Sequence, residues 1–196
     1  MIVLIDNYDS FSYNLYQLLG SITPDIRVIR NDTMTVEELK KLQPEAIILS
    51  PGPGRPEDAG ICVETVEKLG SKIPILGVCL GHQSICQAYD ATITYAKELM
   101  HGKASMTKLD LGCPIFHNCP DSVIVARYHS LAVDEDTIPE CLKVTARTLD
   151  GEVMAVQHTD FEVYGVQFHP ESIMTPEGKH MLQNFIERVR VREVEL

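Results

Sequence analysis

A chain of 196 residues with 44% hydrophobic content can build a real core, which excludes intrinsic disorder. Lys and Arg number 17 against 28 Asp and Glu, and no basic run relieves the net charge of −11, so nucleic-acid binding is not expected. The longest run free of Asp, Glu, Lys and Arg, Ile73 to Tyr89, carries Pro74, Gly77, Gly81, His82, Gln83, Ser84 and Gln87 and is no membrane span.

The first half alternates strand and helix signals. Ile2 to Ile5 is a short apolar run suited to a strand buried on both faces. Ser10 is placed to cap a helix from about Phe11 to Leu19, with Gly20 as its stop. Ile26 to Ile29 reads as a second strand. Thr35 followed by Glu38 is a capping-box pattern and opens a helix to about Leu42. Ala46 to Leu49 is a third strand, a helix runs from roughly Ala59 to Leu69, and Ile75 to Val78 is a fourth strand leading into Cys79. A helix from about Gln83 to Tyr89 follows. Beyond it the chain reads mostly as strands: Thr92 to Tyr95, Ser122 to Arg127, Leu142 to Ala146, Val153 to Gln157 and Val163 to Phe168, with a hairpin signal at Asp150-Gly151. A last helix is expected from about Pro176 to Val189, followed by a frayed tail.

This order predicts an α/β fold: one domain over residues 1–196, with an open, mostly parallel twisted sheet, flanking helices and a smaller antiparallel β region. Ligands bind outside the carboxyl ends of the strands in such sheets. Ser50-Pro51-Gly52-Pro53-Gly54 and Cys79-Leu80-Gly81-His82-Gln83 occupy that position.

The start, with Asp6, Asp9 and no basic residue before Arg27, does not read as a secretory signal. The six cysteines (Cys62, Cys79, Cys86, Cys113, Cys119 and Cys141) are therefore expected as free thiols in a reducing cytoplasm. Cys113, His117 and Cys119 fit no zinc spacing, and no metal is expected. Cys86 and His82 read as packing residues.

Gly77-Val78-Cys79-Leu80-Gly81 has the form of a nucleophile elbow with the thiol in place of the usual serine. A strand ends, a sharp turn presents one side chain, and a helix begins. Unpaired N–H groups at the helix start favour a thiolate, and the N–H of Leu80 is placed to meet an oxyanion. A thiol nucleophile needs a base and a group that orients it. His169 stands just past an apolar strand with Glu171 two residues on, and Pro170 keeps the link extended, so both side chains face one way. The Pro51-to-Gly54 loop lacks the Gly-Lys-Ser/Thr of a phosphate loop but can bring backbone N–H groups close to a ligand carbonyl.

Together these segments resemble the class I, triad-type glutamine amidotransferases along nearly the whole chain. Asp6-Asn7-Tyr8-Asp9-Ser10-Phe11, Met100-His101-Gly102-Lys103 and Arg127-Tyr128-His129-Ser130-Leu131 narrow the likeness to the glutaminase subunits of chorismate-using synthases, those making anthranilate and those making aminodeoxychorismate. The resemblance implies a flavodoxin-like fold and hydrolysis of L-glutamine without a cofactor. It makes Cys79 the nucleophile, His169 the base and Glu171 its orienting carboxylate. Gly52 and Leu80 would supply oxyanion N–H groups, and Pro53 and Gly54 would belong to the glutamine loop. Gln83, Ser130 and Leu131 would hold the amino-acid end. It also implies a chorismate-using synthase partner, facing Asp6 to Phe11 and His101 to Lys103, with tryptophan supply as the first expectation and folate supply as the alternative. Ser84 and Cys86 depart from the small apolar residues common after the elbow. The rival readings are a free-standing γ-glutamyl cysteine hydrolase and a non-catalytic binding subunit.

Overall fold

The computed structural model describes residues 1–195 apart from Glu98, Met100 and His101, with side chains through Val191. The Met100-His101 half of the Met100-to-Lys103 motif therefore lies outside the described residues. Five strands, β1 (Ile2–Asp6), β2 (Ile26–Arg30), β3 (Ala46–Leu49), β4 (Ile75–Val78) and β11 (Val163–Val166), run parallel. Between them lie the helices α1 (Ser12–Gly20), α2 (Val36–Lys41), α3 (Cys62–Leu69) and α4 (Leu80–Ala88). The later strands are β5 (Ile93–Tyr95), β6 (Lys103–Leu109), β7 (Ser122–Arg127), β8 (Leu131–Val133), β9 (Leu142–Thr148) and β10 (Val153–His158), and α5 (Gly178–Glu195) closes the chain. Among the described residues the main sheet has nine strands in the order β2-β1-β3-β4-β11-β10-β9-β6-β7, and β5 pairs with β8 in a separate two-stranded sheet. The antiparallel part is thus divided. Four of its strands extend the parallel sheet from β11 outward, and only β5 and β8 stand apart.

The inner parallel strands β1, β3, β4 and β11 are buried on both faces because they are almost wholly apolar, whereas the edge strand β2 carries Arg27 and Arg30 and is largely exposed. In β1, Ile2 and Leu4 point to one face, where Leu15 and Leu19 of α1 and Met181, Leu182 and Phe185 of α5 cover them. Val3 and Ile5 point to the other, beneath Val36 and Leu39 of α2, Val66 and Leu69 of α3, and Leu80 and Ile85 of α4. No described helix is long and apolar enough to cross a membrane.

Most elements fall where the sequence places them, and the differences are local. The Thr35–Glu38 capping box forms in both directions. Ser10 does not cap α1. The Asp9 carboxylate accepts from the N–H of Phe11 instead (2.9 Å), and Gly20 is the last helical residue, not the stop. A 3₁₀ turn at Pro56–Asp58 delays α3 to Cys62. Helix α4 begins at Leu80, three residues before the expected start, because the elbow feeds straight into it. Residues 190–195, within the 190–196 tail expected to fray, continue α5; the residues after Val189 are largely good helix formers by type.

His82 lies wholly inside, on α4 against β11, where a Cβ on Gly165 would meet its Nδ1 at 2.6 Å. Burial, aided by the nearby His129, pushes its pKa down from 6.5 to about 3. The unfolded chain then binds a proton that the folded one refuses. The stabilising contribution is complete above pH 6.5 and is lost as pH falls towards 3. Urea unfolding between pH 6.5 and 3 is expected to lose up to about 1.4 kcal/mol per pH unit from this residue, and His82→Gln should flatten the slope by that one proton.

Candidate active site

The carboxyl ends of β1, β3, β4 and β11 meet at one edge of the sheet, and each sends a loop into the same place. Cys79 follows β4 with φ 52° and ψ −102°, a sparsely populated conformation for a residue with a side chain. It is held there by its N–H donating to the Val166 carbonyl (2.8 Å) and by its own carbonyl accepting from Gln83 N–H (3.0 Å). The flanking glycines are demanded by close approach. A Cβ on Gly77 would sit 2.4 Å from the Gly81 backbone, and one on Gly81 would sit 2.4 Å from the Leu49 carbonyl oxygen. The strand, the elbow and the helix therefore pack backbone to backbone, and Cys79 is aimed outward from the sheet's end.

His169 arrives on the loop after β11. Its N–H donates to the Ala126 carbonyl (3.1 Å), and Thr175 ties the loop by donating to the His169 carbonyl (2.7 Å) and accepting from Ala126 N–H (2.9 Å). The Glu171 side chain is fully buried, with Oε1 2.6 Å from His169 Nδ1. Nε2 of His169 is buried with no hydrogen-bond partner among the described residues, and the ring interacts with the Cys79 thiol. Burial alone would lower the His169 pKa. Its contacts with Cys79 and Glu171 outweigh that and raise it to about 10. Tyr128 and Phe11 pack edge-on against the imidazole, with centroids at 5.0 and 5.4 Å.

A cavity of about 170 Å³ opens beside the thiol, lined by Gly52, Pro53, Gly54, Cys79, Gln83, Tyr128, His129, Ser130 and Leu131. Roomier hollows of about 290 Å³ lie elsewhere, one of them between Thr94, Lys97, Glu135 and Gly151, but none includes a nucleophile beside a base. Of the residues singled out in the sequence, Leu80 alone among the binding set does not line the cavity. Its side chain is in the core, and its N–H heads α4, where helical geometry offers it no acceptor. Gln83 donates from Nε2 to the Leu131 carbonyl (2.9 Å) and to Gln167 Oε1 (3.1 Å). Both its N–H groups are committed to the protein, so a ligand meets Oε1. Four other cysteines are not chemical candidates: burial raises the thiol of Cys62 to about 12, those of Cys113 and Cys119 to about 11, and that of Cys86 further still. No group of three His, Cys, Asp or Glu among the described residues could hold a metal ion.

Two residues that hold the site were not read from the sequence as such. Asn7 donates from its backbone to Ser50 Oγ and from Nδ2 to the Ser50 carbonyl (both 2.8 Å), fixing the glycine loop. A Cβ on Gly52 would meet Asn7 Cβ at 2.5 Å, so loop and anchor fit without slack. Gln167, fully buried, bridges Gln83 and the Cys79 sulfur, which its Nε2 approaches at 3.6 Å. Its place two residues before His169 was the available signal.

Comparison with known proteins agrees with this geometry. The family model described as "Glutamine amidotransferase class-I" matches residues 3–189. "Aminodeoxychorismate/anthranilate synthase component 2" of Bacillus subtilis is 50% identical over 190 residues, 97% of each chain. "Anthranilate synthase component 2" of Pseudomonas aeruginosa is 48% identical over 192 residues, covering 95% of this chain and 94% of that one. A solved chain from Thermoplasma acidophilum, named for a GMP synthase subunit, superposes with a TM-score of 0.87 at 24% identity, covering 99% and 96% of the two chains, and shows the shared fold. A buried thiol–imidazole–carboxylate array at the strand ends and a family match across almost the whole length lead to one assignment: the chain belongs to the class-I glutamine amidotransferases.

Proposed function

We propose that this chain is the glutaminase subunit of a chorismate-using synthase. The observation that carries the reading is the Cys79, His169 and Glu171 array beside a cavity of about 170 Å³. The thiol sulfur of Cys79 attacks the side-chain amide carbon of L-glutamine, and His169 takes the thiol proton. Backbone N–H groups of Gly52 and Leu80 receive the oxyanion. His169 then protonates the departing ammonia, takes a proton from water, and the resulting hydroxide cleaves the thioester to glutamate and free thiol. Glu171, 2.6 Å from Nδ1, holds the ring so that Nε2 serves the reaction. Pro53 and Gly54 shape the glutamine loop, and Gln83 Oε1 with the backbone at Ser130 and Leu131 receives the amino-acid end. None of these steps calls for a cofactor or metal.

Ammonia set free in neutral water is protonated and stops being a nucleophile, so the product has to pass to a partner. The relatives named component 2 of anthranilate and aminodeoxychorismate synthases support a component 1 chain in that role. We place tryptophan supply first and folate supply second; the name of the Bacillus subtilis relative joins both. The reading treats residues 1–196 as one amidotransferase domain, and six free cysteines suit work in the cytoplasm. Reconstitution tests it. Mixed with component 1 of either synthase, the chain should confer glutamine-dependent product formation. If both partners make product from ammonium salts but neither makes it from glutamine plus this chain, the reading fails.

A further inference from the structure

The wall of the cavity opposite the glycine loop is the segment Tyr128-His129-Ser130, between β7 and β8. What holds it is a buried carboxylate that the reaction does not use. Glu152, about 4% exposed, stands at the tip of the β9–β10 hairpin. There its backbone N–H donates to Thr148 Oγ1 (3.0 Å), and its carbonyl accepts from Thr148 N–H (3.1 Å). One carboxylate oxygen accepts from Arg127 Nη2, and the other meets His129 Nε2 at 3.2 Å. The two residues flanking Tyr128 are thus gripped by a single group, with Tyr128 between them packing on His169. Arg127 continues the grip to β6 through Ser105 Oγ (3.2 Å).

Burying a carboxylate, a guanidinium and an imidazole is a poor route to stability, since an apolar cluster of equal volume often does as well. The arrangement does define a tautomer. A carboxylate at Nε2 draws the proton to that nitrogen and leaves Nδ1 as an acceptor. Nδ1 is buried and has no hydrogen-bond partner among the described residues, and His129 is one of the residues lining the cavity. The charged or titratable groups around the ring are Glu152, Arg127, His169 and His82. Burial lowers the His129 pKa, Glu152 opposes this, and Arg127 and His169 add to it; the ring stays neutral at physiological pH.

We infer that Glu152 is a positioning residue that sets His129 as a neutral acceptor for the α-ammonium group of the bound amino acid. The inference rests on the glutaminase reading and extends it. Glu152→Gln is nearly isosteric. The new amide still accepts from Arg127, but its NH₂ now donates to His129 Nε2, which moves the imidazole proton to Nδ1 and points a donor at the ammonium.

The test compares two electrophiles on the full chain. 6-Diazo-5-oxo-norleucine carries an amino-acid end, and iodoacetamide does not. Glu152→Gln should raise the half-saturating concentration of the first by about tenfold or more, the worth of a hydrogen bond to a charged group. The rate at which iodoacetamide alkylates Cys79 should stay the same. If both reagents slow together, Glu152 is merely structural, and if neither changes, it is irrelevant; either result overturns the inference. A wild-type Cys79 with no saturable reaction towards the analogue overturns the glutaminase reading and this one with it. Should Glu152→Gln not fold, the His129 variants decide. His129→Asn, which keeps an acceptor near the Nδ1 position, should lose less affinity for the analogue than His129→Leu, and equal losses reject the role.

Discussion

Cys79→Ser is expected to cut glutamine-dependent synthesis by the complex about 10⁴-fold or more, while synthesis from added ammonium salts continues at the wild-type rate. The substitution changes one atom. The elbow keeps its backbone, because φ 52° is imposed by the packing of Gly77 against Gly81 and of Gly81 against Leu49, which serine leaves untouched. The unfolding free energy should therefore stay within about 0.5 kcal/mol of wild type. What is lost is a nucleophile matched to its base. A hydroxyl is a far weaker acid than a thiol, so His169, whose hold on a proton is raised by its contacts with Cys79 and Glu171, has a much harder proton to take from serine. The ammonia arm of the assay separates loss of chemistry from loss of assembly, since it needs the partner but not the thiol. Surviving glutamine use would remove Cys79 from its assigned role. Loss of both activities would show that the residue matters to the complex and not to the amide bond.

How much of this was legible in the sequence follows the range of the forces involved. The inner parallel strands are continuous apolar runs, and β3 and β4 begin and end where those runs do. The elbow was legible because two glycines and a cysteine at fixed spacing encode a local close approach. Glu171 could be paired with His169 because they stand two residues apart, although the link is a turn closed by Ser172 N–H donating to the His169 carbonyl (3.2 Å) and not the extended chain expected from Pro170. What escaped depends on distant partners or on weak alternation. Strand β6 went unread because Thr107, its fully buried inner residue, is polar while Met106 is exposed, so its hydrophobicity runs against the usual pattern. Strand β8 is only three residues long. Asn7 acts on Ser50, 43 positions away, and Gln167 on Gln83, 84 positions away. Glu152 reaches Arg127 and His129 across 25 and 23 positions. Nothing local distinguishes such residues from surface polar groups until the sheet brings them inside. Ser10 was a fair cap by residue type, but Asp9 is better placed in the turn and takes the bond.

The same distinction gives the site a division of labour. Cys79, His169 and Glu171, the proposed nucleophile, base and orienting carboxylate, follow two strand ends that are neighbours in the sheet, β4 and β11. Their relative placement is inherited from the ladder, where Val78 pairs with Val166, each within a few residues of the chemistry. The cavity wall facing the glycine loop comes instead from the antiparallel half, in a segment clamped by side chains. The proposed reacting groups therefore follow two paired strands of the buried parallel sheet, and the Tyr128-to-Ser130 wall is held by a few buried hydrogen bonds. Preorganisation of this kind is worth most where charge develops.

The second large effect concerns the proton. His169→Gln should lower glutamine hydrolysis by about 10³- to 10⁴-fold, the range for loss of a positioned general base. The same variant should slow alkylation of Cys79 by iodoacetamide near neutral pH. Without the imidazole the side chain left against the sulfur is Gln167, whose Nε2 approaches at 3.6 Å and which, as an amide, is no base. Raising the pH should recover alkylation in His169→Gln as bulk hydroxide takes over deprotonation, but it should not recover hydrolysis, which also needs a proton delivered to the leaving ammonia. Glu171→Gln should fall between, because an amide beside Nδ1 leaves a base in place but weakens its orientation and tautomer. Since thiol and imidazole act as one unit, Cys79→Ser combined with His169→Gln should be scarcely slower than Cys79→Ser alone. Additive losses in that double variant, measured as glutamate release by the full complex, would mean that the two side chains serve separate steps. His169 would then have to be replaced as the acceptor of the Cys79 proton.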